Sequence, residues 1–169
     1  MKLPVLNVSV SLNEIPDHLA VTIELGNCKM GCSGCHSPWC SEPIARDLWP
    51  DLEHIMYQVN KQVKQGANAI VLMGGTCNGV SIDDLVEAIN VLSCYAPVGL
   101  YSGLDDNCVI HKILKENAKL TWLKTGQYQE ERGGLDNPNT NQKFYAKRGN
   151  DWVDITHIFS ERRNIDNRK

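Results

Sequence analysis

Three cysteines stand close together in the first quarter of the chain: Cys28, Cys32 and Cys35 follow the spacing C-x3-C-x2-C. Gly31 and Gly34 lie between them, and glycine permits the backbone conformations that a loop wrapped around one inorganic centre requires. Three thiolates leave one iron of a [4Fe-4S] cluster without a protein ligand, as in open metal sites that perform catalysis. The pattern therefore predicts an iron–sulfur centre with one free iron.

Two closed metal sites remain alternatives. Zinc would need Cys40 or His36 as a fourth ligand, but zinc ligands usually come in two separated pairs, and the sequence has no second pair. Cys40 could instead complete the cluster and make it an electron-transfer centre. Cys77 lies far along the chain from the three cysteines and is expected to be a packed thiol. The other histidines lack metal-ligand spacing and are expected to be structural or exposed: His18, His54, His111 and His157.

Composition limits the class of protein. The chain has 169 residues, 42% of them hydrophobic, which predicts a single domain over residues 1–169. The net charge of -3 supplies no basic surface for nucleic acid, and no apolar stretch has the length of a membrane span. Seven cysteines are an odd number at low density, which disfavours a disulfide framework. We expect a cytoplasmic protein that binds neither nucleic acid nor membrane.

Short apolar runs alternate with amphipathic stretches, which is typical of βα units around a mostly parallel sheet. Apolar residues recur at helical spacing over residues 51–65. Ser81, with Asp84 three residues later, predicts the start of a second helix, and Asp105 is the expected N-cap of a third. The predicted strands are residues 21–25, 69–73, 98–101 and 120–123.

The candidate functional groups all follow predicted strands. Cys28 comes after the first strand, Gly74 and Gly75 after the second, and Lys124 after the fourth. Ligands of such sheets bind at the carboxyl ends of the strands, so we expect these groups to lie at one edge. Lys124 could offset a ligand carboxylate or pair with a nearby Glu. A full barrel needs about 250 residues, so this chain can build only part of one, and the open side suits a large substrate.

The C-terminal part differs in character. Residues 129–142 are rich in Gly, Asn, Pro and Glu and are expected to form a long loop. Residues 144–155 alternate like a short hairpin with Gly149 and Asn150 at its turn. The charged residues 161–169 are expected to fray.

The cysteine spacing after a first strand resembles the cluster loop of radical S-adenosylmethionine (SAM) enzymes. Residues 28–38 resemble the anaerobic ribonucleoside-triphosphate reductase activating proteins within that superfamily. The resemblance extends over residues 15–159, most of the chain. It is also carried by Gly74-Gly75, Tyr101-Ser102-Gly103, Leu123-Lys124-Thr125-Gly126, Gly133-Gly134-Leu135-Asp136 and Thr140-Asn141-Gln142.

This resemblance implies an α/β fold, namely an incomplete (β/α) barrel of the radical SAM type with a mostly parallel sheet and a C-terminal loop and hairpin. The implied cofactors are a [4Fe-4S] cluster and SAM. The implied partners are the anaerobic ribonucleoside-triphosphate reductase, which receives a glycyl radical, and a reductant such as flavodoxin or ferredoxin. Two alternatives stay open: a small radical SAM enzyme that acts on a small molecule, of the deazapurine synthase type, and a non-catalytic iron–sulfur or zinc module.

The resemblance further implies which residues form the site. Cys28, Cys32 and Cys35 hold the cluster and act in catalysis through it. Gly34, Cys35 and His36 contact the adenine side of SAM. For His36 we expect stacking or hydrogen bonding beside the cluster rather than ligation.

The segment Gly74-Gly75 is implied to approach the methionine end of SAM. The superfamily usually has an acidic residue directly after these glycines, where the ammonium group of SAM is received, and this chain has Thr76. The Thr76 hydroxyl can accept a hydrogen bond from an ammonium group, but a charge-assisted contact of about 1.5–3 kcal/mol is missing. SAM affinity is the property that this difference affects.

Overall fold

The computed structural model describes residues 1–166, with side chains as far as Glu161. Its described part contains one open sheet whose strands lie side by side in the order in which they occur along the chain. The strands are β1 (Val5–Ser11), β2 (Ala20–Leu25), β3 (Ala69–Met73), β4 (Val98–Tyr101), β5 (Leu120–Thr125), β6 (Lys143–Arg148) and β7 (Asp151–Asp154).

The sheet is mixed. Its centre, from β2 to β5, is parallel. The flanking pairs β1–β2, β5–β6 and β6–β7 are antiparallel. The predicted mostly parallel sheet therefore describes the centre and not the flanks, because β1 and the C-terminal hairpin approach the sheet from the opposite direction.

Helices connect the parallel strands, as parallel pairing requires. They are α1 (Leu52–Lys64), α2 (Ile82–Leu92) and α3 (Val109–Glu116), and a fourth helix, α4 (His157–Asp166), follows the hairpin. Two of them begin at side-chain caps, since Asp51 accepts from the His54 N–H and Ser81 from the Asp84 N–H. Among the described residues, no helix combines the length and the apolar character needed to cross a bilayer.

The two faces of the sheet pack differently. Val21, Ile23 and Leu25 of β2 join a buried aliphatic core with residues of α1, α2 and α3, so we call this the helix-covered face. The opposite face, here the inner face, has a smaller apolar cluster that includes Trp122 and Phe144. Residues that alternate with the helix-covered core lie on the inner face: Thr22, Glu24, Met73, Tyr101 and Lys124.

Most predicted elements are confirmed. The four strands and the helix over residues 51–65 lie within one or two residues of their expected bounds, and Ser81 caps α2 as expected. The hairpin also forms, with Gly149 and Asn150 between its strands. The N-cap predicted for α3 is wrong: the Cys108 N–H binds the Asp105 carbonyl in a turn, so the helix begins only at Val109.

Two terminal regions differ from expectation. Strand β1, residues 5–11, was not predicted, although Val8, Ser9, Val10 and Ser11 alternate with the period of a half-buried strand. Residues 161–169 were expected to fray, but helix α4 extends through Glu161 to Asp166. Residues 167–169 lie outside the described part of the chain.

Candidate active site

The chain leaves β2 in a loop, residues 26–42, which we call the cysteine loop. Its backbone enters the left-handed region at Asn27 (φ 60°), Gly31 (φ 59°) and Gly34 (φ 65°), so it bends sharply around the cysteines. Asn27 holds the loop closed because its Oδ1 accepts from the Ile44 N–H at 2.6 Å and its Nδ2 donates to the Ile44 carbonyl at 3.2 Å. The loop is thus built by backbone conformation and one amide clamp.

The cysteine loop contacts the segments that follow the next three strands. The Lys29 N–H donates to the Cys77 carbonyl after β3 at 3.0 Å. Gln127 Nε2, after β5, donates to the Met30 carbonyl at 3.0 Å. The Met30 side chain also packs on Gly103 after β4, where an added Cβ would lie 2.8 Å from Met30 Cγ. The expected convergence at the carboxyl ends of the parallel strands is therefore confirmed.

The segment after β5, residues 127–130, crosses the cysteine loop. The rings of Tyr128 and His36 lie 4.7 Å apart. Ser33 Oγ donates to Glu130 Oε2 at 3.2 Å, and a Cβ on Gly34 would lie only 2.7 Å from the Glu130 carboxyl carbon. Gly34 is favoured by its positive φ, whereas the Glu130 carboxylate is the end of a flexible, exposed side chain that could move away from an added Cβ. His36 packs against Tyr128 at a tilted angle of 50°.

The cysteine thiols are free. Cys28 and Cys32 are half-buried, whereas Cys35 is exposed. The Cys35 Sγ accepts the Ser37 N–H at 3.4 Å, an interaction of the kind that tunes the sulfurs of iron–sulfur clusters. Within the part of the chain that the structure describes, no three His, Cys, Asp or Glu side chains already converge on one metal position. The soft thiolate donors suit an iron–sulfur cluster, and the thiols would have to turn toward one another to hold it.

Cys40 and Cys77 border these three thiols. Burial, reinforced by Glu24, Cys28 and Cys35, raises the pKa of the Cys40 thiol to about 11, which disfavours the thiolate that a metal needs. Burial also raises the pKa of Cys77. The Cys40 carbonyl accepts the Cys28 N–H at 2.8 Å, so Cys40 serves the loop through its backbone.

Gly74 and Gly75 lie in the loop between β3 and α2, residues 74–81, which we call the glycine loop. Their φ values are 115° and 109°. The Gly75 N–H donates to Asn78 Oδ1 at 2.7 Å, and Asn78 Nδ2 donates to the carbonyls of Leu25 at 2.9 Å and Gly26 at 2.6 Å. Asn78 is 1% exposed, so this amide joins the glycine loop to the start of the cysteine loop in a dry interior. Asn78 was not predicted as a site residue, although it is a polar residue that stands close after the double glycine in the sequence.

A chain of side-chain hydrogen bonds runs inward from the same loop. Thr76 Oγ1 lies 2.9 Å from Ser102 Oγ, which lies 2.8 Å from His111 Nε2. Ser102 and His111 are each 1% exposed. His111 was expected to be structural or exposed, and it is buried behind the predicted site, linked to Thr76 through one hydroxyl.

Charged side chains lie on the inner face next to the cysteine loop. Lys124 Nζ donates to the Gly126 carbonyl at 3.3 Å, and burial lowers its pKa to about 8 against the opposite influence of Cys32 and Cys35. Burial raises the pKa of Glu14. The ion pairs seen in the described residues are Lys115–Asp106 and Lys143–Asp154. Lys124 is therefore not in a surface ion pair with any of these residues, although its residue type suggested one.

The fold and the site together define an α/β protein with an open mixed sheet, whose strand-end loops meet at a cysteine-rich edge. The chain was compared with protein-family models, with curated proteins and with solved structures, and none of the three comparisons gives a match.

Proposed function

We propose that this chain is a radical SAM enzyme that generates a glycyl radical on anaerobic ribonucleoside-triphosphate reductase, and that its open sheet is an incomplete (β/α) barrel of the radical SAM type. One observation carries the proposal. A loop with the spacing C-x3-C-x2-C lies at the carboxyl ends of the parallel strands and is bonded to the segments after β3 and β5. This edge is where α/β sheets bind their ligands.

In this proposal Cys28, Cys32 and Cys35 hold a [4Fe-4S] cluster, with the Ser37 N–H bonded to one of the sulfurs. Cys40 is left out of the ligand set, since it lies outside the C-x3-C-x2-C spacing. When bound and reduced by a flavodoxin- or ferredoxin-type donor, such a cluster would supply the single electron for reductive cleavage of SAM, the chemistry that generates a radical on a glycine of the partner.

The remaining site residues position SAM. Gly34, Cys35 and His36 lie along its adenine side, where the Tyr128 ring packs at an angle against the ring of His36. Gly74, Gly75 and Thr76 receive its methionine end. The two glycines let the loop adopt its positive φ values and pack against Asn78 and Leu85, which lie where a Cβ would be. Lys124, which is largely buried and lies near Cys32 and Cys35, can offset the SAM carboxylate.

The open sheet suits a polypeptide substrate. The edge strands of the sheet are β1 and β7, which do not pair with each other, so the inner face is not enclosed by a complete barrel. A segment of a partner protein that carries the target glycine can then reach the carboxyl ends of the strands from the side. A pocket for a small molecule would instead need to close in order to exclude water. The partner and a cytoplasmic location are both part of the proposal.

The first test is oxygen-free reconstitution followed by electron paramagnetic resonance with and without SAM. We expect about four irons per chain, bound by three cysteines, and a spectrum that changes when SAM binds the open iron. Cys28→Ala, Cys32→Ala and Cys35→Ala should each lose most of the iron. Cys40→Ala should retain it, as should the matched control Cys94→Ala, whose exposed thiol lies beyond the end of α2.

Two outcomes would overturn the proposal. A four-thiolate electron-transfer cluster would ignore SAM and lose iron in Cys40→Ala, and a zinc module would contain no iron. The activase is then separated from other small radical SAM enzymes by incubation with the reductase, SAM and a reductant without air. A glycine-centred radical signal supports it, whereas SAM cleavage without that signal points to a small-molecule substrate.

A further inference from the structure

The Ser102 hydroxyl lies at the centre of a fully used set of hydrogen bonds. Its oxygen accepts the Leu104 N–H at 3.1 Å, and it lies 2.9 Å from Thr76 Oγ1 and 2.8 Å from His111 Nε2. A serine hydroxyl has one proton to donate and two lone pairs to accept with. Since Leu104 occupies one lone pair, Ser102 donates to either His111 or Thr76 and accepts from the other.

His111 decides between these two arrangements. Its Nδ1 faces the Asp106 carbonyl at 3.4 Å, and the Asp105 carbonyl acts on the ring in the same way. A carbonyl can only accept, so Nδ1 carries the proton, and in a neutral imidazole Nε2 is then an acceptor. Burial lowers the pKa of His111 below its usual value, which keeps the ring neutral at pH 7. Ser102 therefore donates to His111.

The direction of hydrogen-bond donation from Ser102 to His111 also fixes the direction of the bond between Ser102 and Thr76. With its own proton given to His111, Ser102 accepts the proton of Thr76. Thr76 also lies 3.8 Å from Cys77 Sγ, but the oxygen of Ser102 is nearer and the stronger acceptor. Both lone pairs of the Thr76 oxygen then remain free to accept from a ligand.

We infer that His111 is a positioning residue, which acts through Ser102 to fix the Thr76 hydroxyl as an acceptor for a primary ammonium group. The inference rests on the proposed function, in which Thr76 faces the amino-acid end of SAM. It supplies a physical reason why a threonine can stand where an acidic residue would otherwise attract the ammonium group: the hydroxyl is prevented from pointing its proton at the cation.

Protonation of His111 reverses the direction of donation in the hydrogen bonds that join His111, Ser102 and Thr76. Nε2 then donates to Ser102, Ser102 donates to Thr76, and the Thr76 proton turns toward the ligand. The charged groups that act on His111 are Asp106, which favours its protonated form, and Lys115, which opposes it. Affinity for an ammonium ligand should therefore fall as the pH drops through the lowered pKa of His111.

The test compares two nucleosides on the reconstituted protein by calorimetry between pH 5 and 8. S-adenosylhomocysteine carries the ammonium group and is not cleaved, and 5′-methylthioadenosine lacks the amino acid. We expect the affinity of the first to fall about tenfold on acidification, with the affinity of the second unchanged. Thr76→Val should weaken only the first, by about the same factor at neutral pH.

Variants of His111 separate positioning from simple packing. His111→Gln places a non-titrating carbonyl acceptor near Ser102, so it should retain the neutral-pH affinity and lose the pH dependence. His111→Phe, which cannot accept, should show the weak affinity at every pH. His54→Gln, an exposed histidine bonded to Gln58 on α1, is the control and should behave as wild type.

A measurement that needs no cluster decides the histidine assignment independently. Nitrogen NMR of the folded chain should show His111 as the tautomer with the proton on Nδ1. A proton on Nε2 at neutral pH, or a His111→Gln protein that keeps the wild-type pH dependence, overturns the inference. Binding of neither nucleoside overturns the proposed function and the ligand assigned to Thr76, while the tautomer still decides whether His111 sets the polarity.

Discussion

The two faces of the same strands carry different kinds of side chain. On β2, Val21, Ile23 and Leu25 enter the apolar core beneath the helices, while Thr22 and Glu24 between them face the inner side. Strand β5 repeats the pattern, since buried Leu123 is followed by Lys124. One face is dry and aliphatic along its length, whereas the other becomes charged toward the cysteine loop. The period of two in a strand thus lets one element supply both stability and a site.

Substitutions of similar size on the two faces should therefore change the stability of the protein in opposite directions. Removing apolar volume from the helix-covered face leaves a cavity that the surrounding side chains only partly fill. Removing a buried charge from the inner face relieves a desolvation cost that folding otherwise bears. Beside the two faces, Asn78 joins two loops at the edge of the sheet, because it bonds Gly75 after β3 and the backbone where β2 passes into the cysteine loop.

The largest effect is expected from Leu72→Ala on β3, whose side chain is 0% exposed in the helix-covered core. The substitution should lower the free energy of unfolding by about 2–5 kcal/mol, since it removes buried methyl groups and leaves a cavity. Urea unfolding under reducing conditions measures the change. Leu48→Ala, at a side chain that is 70% exposed, is the matched control and should shift stability by less than about 0.5 kcal/mol. Equal losses in the two variants would contradict the contrast between core and surface.

An intermediate loss is expected from Asn78→Ala. The change leaves the Gly75 N–H and the carbonyls of Leu25 and Gly26 without their amide partner, so stability should fall by about 2–4 kcal/mol. Hydrogen exchange should also accelerate at Gly75 and in the cysteine loop more than in helix α1. A uniform acceleration across the chain would mean that Asn78 contributes only to global stability and does not join the two loops.

Lys124→Met tests the inner face and should change stability in the opposite direction. The folded-state pKa of Lys124, about 8, lies below its ordinary value of 10.5, so the unfolded chain binds more protons between these values. Wild-type stability therefore gains from this lysine as the pH rises from about 8 to 10.5, and the charged form opposes folding below that range. At pH 7 the variant should be more stable than wild type by on the order of 1–3 kcal/mol.

The comparison of wild type with Lys124→Met as a function of pH isolates this group from the titrating cysteines. The stability difference should shrink as the pH rises through the range and should be lost above about pH 10.5. Lys119→Met, at an exposed lysine before β5, serves as the control and should show no such trend. A difference that stays constant with pH would show that Lys124 affects packing rather than charge burial.

Much of the fold could be predicted because its signals are local. The apolar runs of β3 and β4, the helical spacing over residues 51–65 and the Ser81 cap each depend on neighbouring residues alone. The strand β1 carried an equally local signal in its alternation and was still missed. The wrong cap of α3 has another cause, because Asp105 has the right residue type but its carbonyl closes a turn before the helix begins.

The site was predicted in part for the same reason. The spacing of Cys28, Cys32 and Cys35 is a property of the sequence, and the rule for strand ends placed Gly74 and Gly75 near them. Asn78 was not predicted, since an asparagine after two glycines has many possible partners and only packing selects the backbone of Leu25 and Gly26. No rule of sequence spacing links Thr76, Ser102 and His111, which are far apart in the sequence and are joined by hydrogen bonds.

The sequence by itself determined which residues can do chemistry and which strand each one follows, because spacing and periodicity act over a few neighbouring positions. The tertiary structure decided which of them meet: that Tyr128 lies on His36, that Lys124 is buried on the inner face, and that His111 reaches Thr76 through a serine. Contacts of this kind join residues far apart in the chain, and they form only when the sheet orders the strands and the core fixes the loops.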